Sequence, residues 1–154
     1  MHPVHRILVP TDFSEPSNDA VRAAIELADH FAAEVHLLHI VAPQAYYADI
    51  PEAMLPPVED FTREMMDSAK QKLDAICQNS PPEIQTTAHV EESADTAAHA
   101  ICDFAAKLPA DLIVIGSHGN TGLMHVLIGA TAEHVVRFAR CPVLVTKQET
   151  KEES

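Results

Sequence analysis

The apolar positions of this chain come in two alternating kinds of run. Arg6-Ile-Leu-Val9, Glu34-Val-His-Leu-Leu-His-Ile-Val41, Asp111-Leu-Ile-Val-Ile115 and Pro142-Val-Leu-Val145 are short, β-branched and bounded by turn residues, as buried strands are. Between them, apolar residues recur at three- and four-residue spacing. Val21, Ala24, Ala28 and Phe31 share one face of a helix expected over about 17–32, with Ser14 and Ser17 as candidate caps. Phe61, Met65, Ala69, Leu73 and Ile76 stripe a second helix over about 58–78; its other side is charged, so the stripe reads as core rather than as a methionine-rich binding face. A third, over about 95–107, exposes Asp103 and Lys107 and buries Ala98, Ile101, Cys102 and Ala105. A fourth follows Gly129, with Val135 and Phe138 at helical spacing. The segment Ile84-Gln-Thr-Thr-Ala-His-Val90 alternates only weakly, as a strand nearer a sheet edge does. Residues 42–57 carry Pro43, Pro51, Pro56, Pro57 and two tyrosines, and read as a long irregular loop and a candidate lid.

Strands alternating with helices predict an α/β fold, a parallel sheet covered on both faces. In such sheets, ligands bind beyond the carboxyl ends of the strands, where the winding direction reverses. Asp12 lies at that end of the first strand. All four glycines, Gly116, Gly119, Gly122 and Gly129, fall in one window that begins at the same end of the fourth. The two can share a cleft only if those strands are neighbours, which the pattern alone leaves open. Glycine tolerates positive φ and lets backbone amides approach a ligand closely. A strand, a glycine loop and a helix in that order aim free N–H groups at one spot, which favours an anion such as phosphate. The other reading is that the glycines only form a long turn. Two better-known phosphate loops do not fit: Ala130 and Thr131 stand where a Walker loop needs lysine and a hydroxyl, and the dinucleotide fingerprint has another spacing and follows the first strand.

With 154 residues, 47% of them hydrophobic, the chain suits one domain with a substantial core. Its formal charge of −13 argues against nonspecific binding to nucleic acid or an anionic membrane, since both are polyanions. Cys77, Cys102 and Cys141 are widely spaced and odd in number, and read as reduced core thiols. The apolar run after Met-His-Pro-Val-His-Arg is too short for a signal sequence, and no stretch approaches a membrane span, so the expected location is the cytoplasm. The histidines do not suggest a metal site, because His36 and His39 point to opposite faces of a strand and no cysteine or carboxylate set accompanies them.

Two stretches are more specific: Ile7-Leu-Val-Pro-Thr-Asp-Phe-Ser14, and Asp111-Leu-Ile-Val-Ile-Gly-Ser-His-Gly-Asn-Thr-Gly122 continued by Gly129-Ala-Thr-Ala-Glu-His-Val-Val to Cys141-Pro-Val-Leu-Val145. Over essentially the whole domain the chain resembles the universal stress protein family, whose nucleotide motif has the spacing Gly116-x2-Gly119-x9-Gly129. The resemblance implies a single five-stranded parallel sheet of order 3-2-1-4-5 with helices on both faces, a Rossmann-like fold of the adenine nucleotide alpha-hydrolase type, over residues 1–147 with a polar tail at 148–154. It implies ATP or a related adenine nucleotide as ligand and a homodimer paired through the last strand, Pro142 to Val145. Carried over by position, Pro10, Thr11 and Asp12 border the adenosine and Val41 touches adenine. Gly116, Ser117, His118 and Gly119 wrap ribose and phosphates, and Gly129, Ala130 and Thr131 present amides to the phosphates. The chain departs from the family pattern at Ala130, where nucleotide binders usually have serine or threonine. No Lys or Arg occurs between Lys107 and Arg137, so a triphosphate would rely on amides, hydroxyls and a bound magnesium ion. The family's Gly-x-Pro turn is absent from Val90-Glu-Glu-Ser-Ala-Asp-Thr96. Two alternatives accompany the nucleotide reading. One is a nucleotide-independent interaction protein; the other is a slow ATPase, for which only Asp12 and His118 offer a water-positioning or basic group.

Overall fold

The structure is a computed structural model and describes residues 2–118 and 128–148. The described chain runs β1 (Arg6–Pro10), α1 (Glu15–Phe31), β2 (Glu34–Val41), α2 (Gln44–Tyr47), a 3-10 turn (Glu52–Met54), α3 (Val58–Asn79), β3 (Thr86–Glu92), α4 (Ala97–Lys107), β4 (Leu112–Gly116), α5 (Ala130–Phe138) and β5 (Val143–Thr146). The five strands form one parallel sheet in the order β3-β2-β1-β4-β5, so the first and fourth strands are neighbours. The Rossmann-like architecture expected from the sequence is present.

Alternation along β1 divides the core. Ile7 and Val9 face one layer, where they meet Ala20, Ala24 and Ala28 of α1 and Leu73 of α3. Leu8 faces the other, with Ala98, Ile101 and Ala105 of α4 and Ala132 and Val135 of α5. A strand buried on both faces must be apolar at consecutive positions, which is why β1 and β4 read as unbroken hydrophobic runs. The small side chains of α1 and α4 let those helices lie close to the sheet. At the amino ends, the Asp111 carboxylate accepts the N–H groups of both His5 and Arg6 at 2.9 Å and ties the start of β1 to that of β4.

Several boundaries differ from the sequence reading. Ser14, rather than Ser17, is the N-cap of α1. Cys77, Cys102 and Cys141 are all half-buried at the margin of the core, and β3 begins at Thr86 rather than at Ile84. Phe31 and Phe138, which continue the apolar spacing of their helices, are 47% and 57% exposed. Each ends its helix; after Phe31 the chain turns through left-handed Ala32, and the Phe138 ring rests on His134 instead of the sheet. Residues 42–57 hold two short helical turns. Tyr46 and Tyr47 pack on Phe61 of α3, with ring centroids 6.1 and 5.6 Å away.

One polar cluster interrupts the edge layer. His36, buried in β2, contacts Glu34 Oε2 through Nε2 at 3.0 Å and His89 of β3 through Nδ1 at 3.0 Å. A carboxylate only accepts, so His36 Nε2 carries the proton and its Nδ1 accepts from His89 when both rings are neutral. Burial, and then the neighbouring His36, hold the pKa of His89 below the usual histidine range.

Candidate functional site

The carboxyl ends of β1 and β4 open into a cavity of about 370 Å³. Its first wall is the turn leaving β1. Thr11 N–H donates to Leu38 O at 2.8 Å, extending the β1–β2 ladder by one residue, and the chain then bends through Phe13 at φ 66°. That left-handed conformation is unfavourable for a bulky residue and persists only where its surroundings fix it. Here they do so. Phe13 N–H donates to Thr11 Oγ1 at 3.0 Å, and the Phe13 ring lies 4.7 Å from the His39 ring with Lys72 Nζ 5.0 Å from its centroid.

Asp12 organises the entry into α1. Its Oδ1 accepts the Ser14 N–H at 3.0 Å and the Ser17 hydroxyl at 2.7 Å, while its own N–H donates to Ser17 Oγ at 3.3 Å. Ser17 Oγ also accepts from the Ser14 hydroxyl at 3.2 Å, so its donor and both acceptor positions are engaged. His39 secures the same turn from β2. Its Nδ1 lies 2.8 Å from Thr11 O, and because a carbonyl only accepts, Nδ1 carries the hydrogen. Burial pushes the His39 pKa down, outweighing the opposite pulls of the Thr11 carbonyl and Asp12, so the ring is neutral at physiological pH.

The second wall comes from β4 and α5. Ser117 is 1% exposed; its N–H donates to Thr146 O at 2.9 Å, and its Oγ lies 2.8 Å from His118 Nδ1. Gly129 N–H donates to Ser117 O, so both ends of the glycine loop are joined at the base. Gly129 is the N-cap of α5, and its lack of a side chain means that the cap residue itself does not bond the first-turn N–H groups, which have no intrahelical acceptors. Ala130, Thr131 and Ala132 of this turn line the cavity.

Gly116 and Gly129 serve space rather than left-handed backbone. Gly129 has φ −75°, and a Cβ there would lie 3.1 Å from Ser117 O. A Cβ on Gly116 would lie 2.8 Å from Pro16 O, so the end of β4 passes directly against the first turn of α1. Among the described residues, Phe13 and Ala32 take positive φ.

Of the expected site residues, Pro10, Thr11, Asp12, Gly116, Ser117, His118, Gly129, Ala130 and Thr131 all line this one cavity. Gly119 lies outside the described residues. Val41 is not among the residues lining the cavity: it is 1% exposed, and its carbonyl accepts the Ser93 N–H at 2.9 Å. Leu38, His39 and Ile40 present β2 to the cavity instead, because Val41 lies one residue beyond the strand's contribution. None of residues 42–57 borders it. Sequence reasoning missed Ser17, Ile115, and Ala97 and Ile101 of α4 as lining residues. The four-residue spacing of Ala97 and Ile101 marked a helical face, but nothing in it marked a cavity. Among the described lining residues there is no Lys or Arg, and Asp12 is the only carboxylate.

The model of the universal stress protein family matches residues 3–147. Universal stress protein MJ0531 of Methanocaldococcus jannaschii is 35% identical over 147 residues, covering 96% of this chain and 84% of that protein. Among solved structures, hypothetical protein MJ0577 aligns with a TM-score of 0.80 at 27% identity, over 97% of this chain and 100% of that one. Two structures share the fold at lower identity. One is a universal stress protein in complex with cAMP (TM-score 0.60, 22% identical, 95% of this chain and 98% of that one). The other is the universal stress protein of Archaeoglobus fulgidus in complex with dAMP (TM-score 0.61, 19% identical, 94% and 98%).

Proposed function

The chain belongs to the universal stress protein family, and on that premise we propose that it is a stress-response module that binds an adenine nucleotide in the cavity between β1, β4 and α5. The observation that carries this reading is the meeting, in one cavity, of the Pro10-Thr11-Asp12 turn with the Gly116–His118 and Gly129–Thr131 segments. Leu38, Ile40, Ile101 and Ile115 supply apolar walls for a base. Asp12 offers an acceptor for ribose or base, and the uncapped start of α5 offers amides to a phosphate. Related structures solved with cAMP and dAMP support the same ligand class for this fold.

Magnesium would enter with a phosphate chain. The described lining contributes one carboxylate, Asp12, whose Oδ1 is already engaged, together with the hydroxyls of Thr11, Ser117 and Thr131. A magnesium ion retains several waters and takes one or two carboxylates plus phosphate oxygens, so this set fits an ion held mainly by its ligand. When bound, it would neutralise phosphate charge.

We also read β5 as a homodimer edge. It closes one side of the sheet, and Leu144 on it, with Val136 and Phe138 on the neighbouring α5, are 37%, 48% and 57% exposed. An apolar edge strand left bare is an association hazard, and pairing with a second copy removes it. Among the described residues, no helix is long and apolar enough to cross a membrane.

Calorimetric titration of the nucleotide-stripped protein with AMP, ADP and ATP, with and without magnesium, tests the nucleotide reading. Micromolar binding that is lost in Asp12→Ala and Gly129→Val supports it. No heat up to millimolar nucleotide would replace it with the interaction-protein reading.

A further inference from the structure

Resting on the nucleotide reading above, we propose that the cavity selects by phosphate charge: it takes adenosine monophosphates, linear or cyclic, in preference to ATP. The walls described above supply partial charges and, among the described residues, neither lysine nor arginine. Among the described lining residues there is no Lys or Arg, and the sequence from Leu108 to Val136, which includes the whole glycine loop, contains none either. Lys72 and Lys147 do not line the cavity. Lys72 sits over the Phe13 ring, and Lys147 follows β5 on the surface. His39 is neutral, with its Nδ1–H given to Thr11 O. The one carboxylate on the described lining is that of Asp12, and the whole chain carries −13.

One phosphate group can be met by the amides of the first turn of α5 and by the hydroxyls of Ser117 and Thr131. ATP brings roughly two further negative charges at neutral pH, and among the described lining residues no Lys or Arg is there to receive them. Ala130 sharpens the contrast, since a serine or threonine at that position would add a hydroxyl donor beside the helix start. The cavity volume, about 370 Å³, sits at the lower end of small-ligand sites, which also favours the smaller nucleotide. Two added unit charges near one carboxylate, at a dielectric between that of a protein surface and water, weaken binding on the order of tenfold.

The test is calorimetric titration of the full chain, stripped of nucleotide, with AMP, cAMP and ATP in EDTA at low and at moderate salt. AMP is expected to bind at least about tenfold more tightly than ATP. Added salt should strengthen ATP binding by screening repulsion, while AMP changes little. Thr131→Lys, which places a cation at the start of α5, should draw the two affinities together. ATP binding as tightly as AMP in EDTA, or ATP affinity falling as salt rises, would overturn the selection while leaving the nucleotide reading intact. Failure of every adenine nucleotide to bind would overturn both.

Discussion

Replacing Gly116 with alanine isolates the close approach on which the cavity depends. The added Cβ would lie 2.8 Å from Pro16 O and 2.9 Å from Pro16 C, both backbone atoms in the first turn of α1. A flexible side chain could swing away, whereas this backbone is fixed by Ser14, Ser17 and Asp12. Restoring ordinary contact therefore requires β4 and α1 to part by about half an ångström, and overpacking of that kind costs about 1–3 kcal/mol. Gly→Ala also stiffens the unfolded chain, which offsets about 0.4–1 kcal/mol where the conformation is tolerated. Steric cost wins, and the net expectation is a loss of about 1–2 kcal/mol, or roughly 3–8 °C in Tm for a domain of this size. Urea unfolding of both proteins measures it, with an unchanged m-value showing that the denatured state is the same. Gly129→Ala is the internal comparison: its nearest neighbours would be 3.1 and 3.6 Å away, so its loss should stay below about 1 kcal/mol. A Gly116→Ala midpoint equal to or above that of the parent protein would refute the steric reasoning.

Three further outcomes follow from the same geometry. Ser17→Ala removes a hydroxyl engaged with the Asp12 carboxylate, the Asp12 N–H and the Ser14 hydroxyl, and should cost about 1–3 kcal/mol in urea unfolding with weaker nucleotide binding, an unchanged midpoint counting against it. His39 and His89 have pKa values held below the usual histidine range in the folded state, so the unfolded chain binds more protons between those values and about 6.5. Their contribution to stability is complete above about pH 6.5 and declines as pH falls below it; His89→Gln should flatten part of that decline in urea midpoints from pH 7.5 to 5, and identical slopes would contradict it. Leu144→Lys places a charge on the exposed edge of β5 and should convert a dimeric mass in light scattering to a monomeric one, whereas an unchanged dimer would place the interface elsewhere.

Much of the fold was legible because local pattern and global architecture agree. The unbroken apolar runs of β1 and β4 read as strands buried on both faces, and the alanine spacing of α1 marks the face that packs on the sheet. The glycine loop was legible as a site because glycine is so sparse elsewhere. The errors fell at ends. Phe31 and Phe138 continue their helical stripes in spacing, but each is the last residue of its helix, and periodicity carries no information on where the covered surface stops. Carrying a contact over by position places Val41 along a strand, but which positions line a cavity at the strand's end depends on where the next turn begins.

The amino-acid sequence by itself determined the α/β alternation, the buried faces and an acidic chain without a cation between Lys107 and Arg137. These are local or compositional properties, set by the residues whatever their neighbours in space. Only the tertiary structure decided that β1 and β4 lie side by side, which brings Asp12 to the glycine loop across more than a hundred residues. It alone decided that Gly116 is required by Pro16, that the positive φ belongs to Phe13, and that His39 holds the Thr11 carbonyl. Each of these is a contact between segments distant in the chain or a conformation imposed by such contacts, and short-range pattern does not encode it.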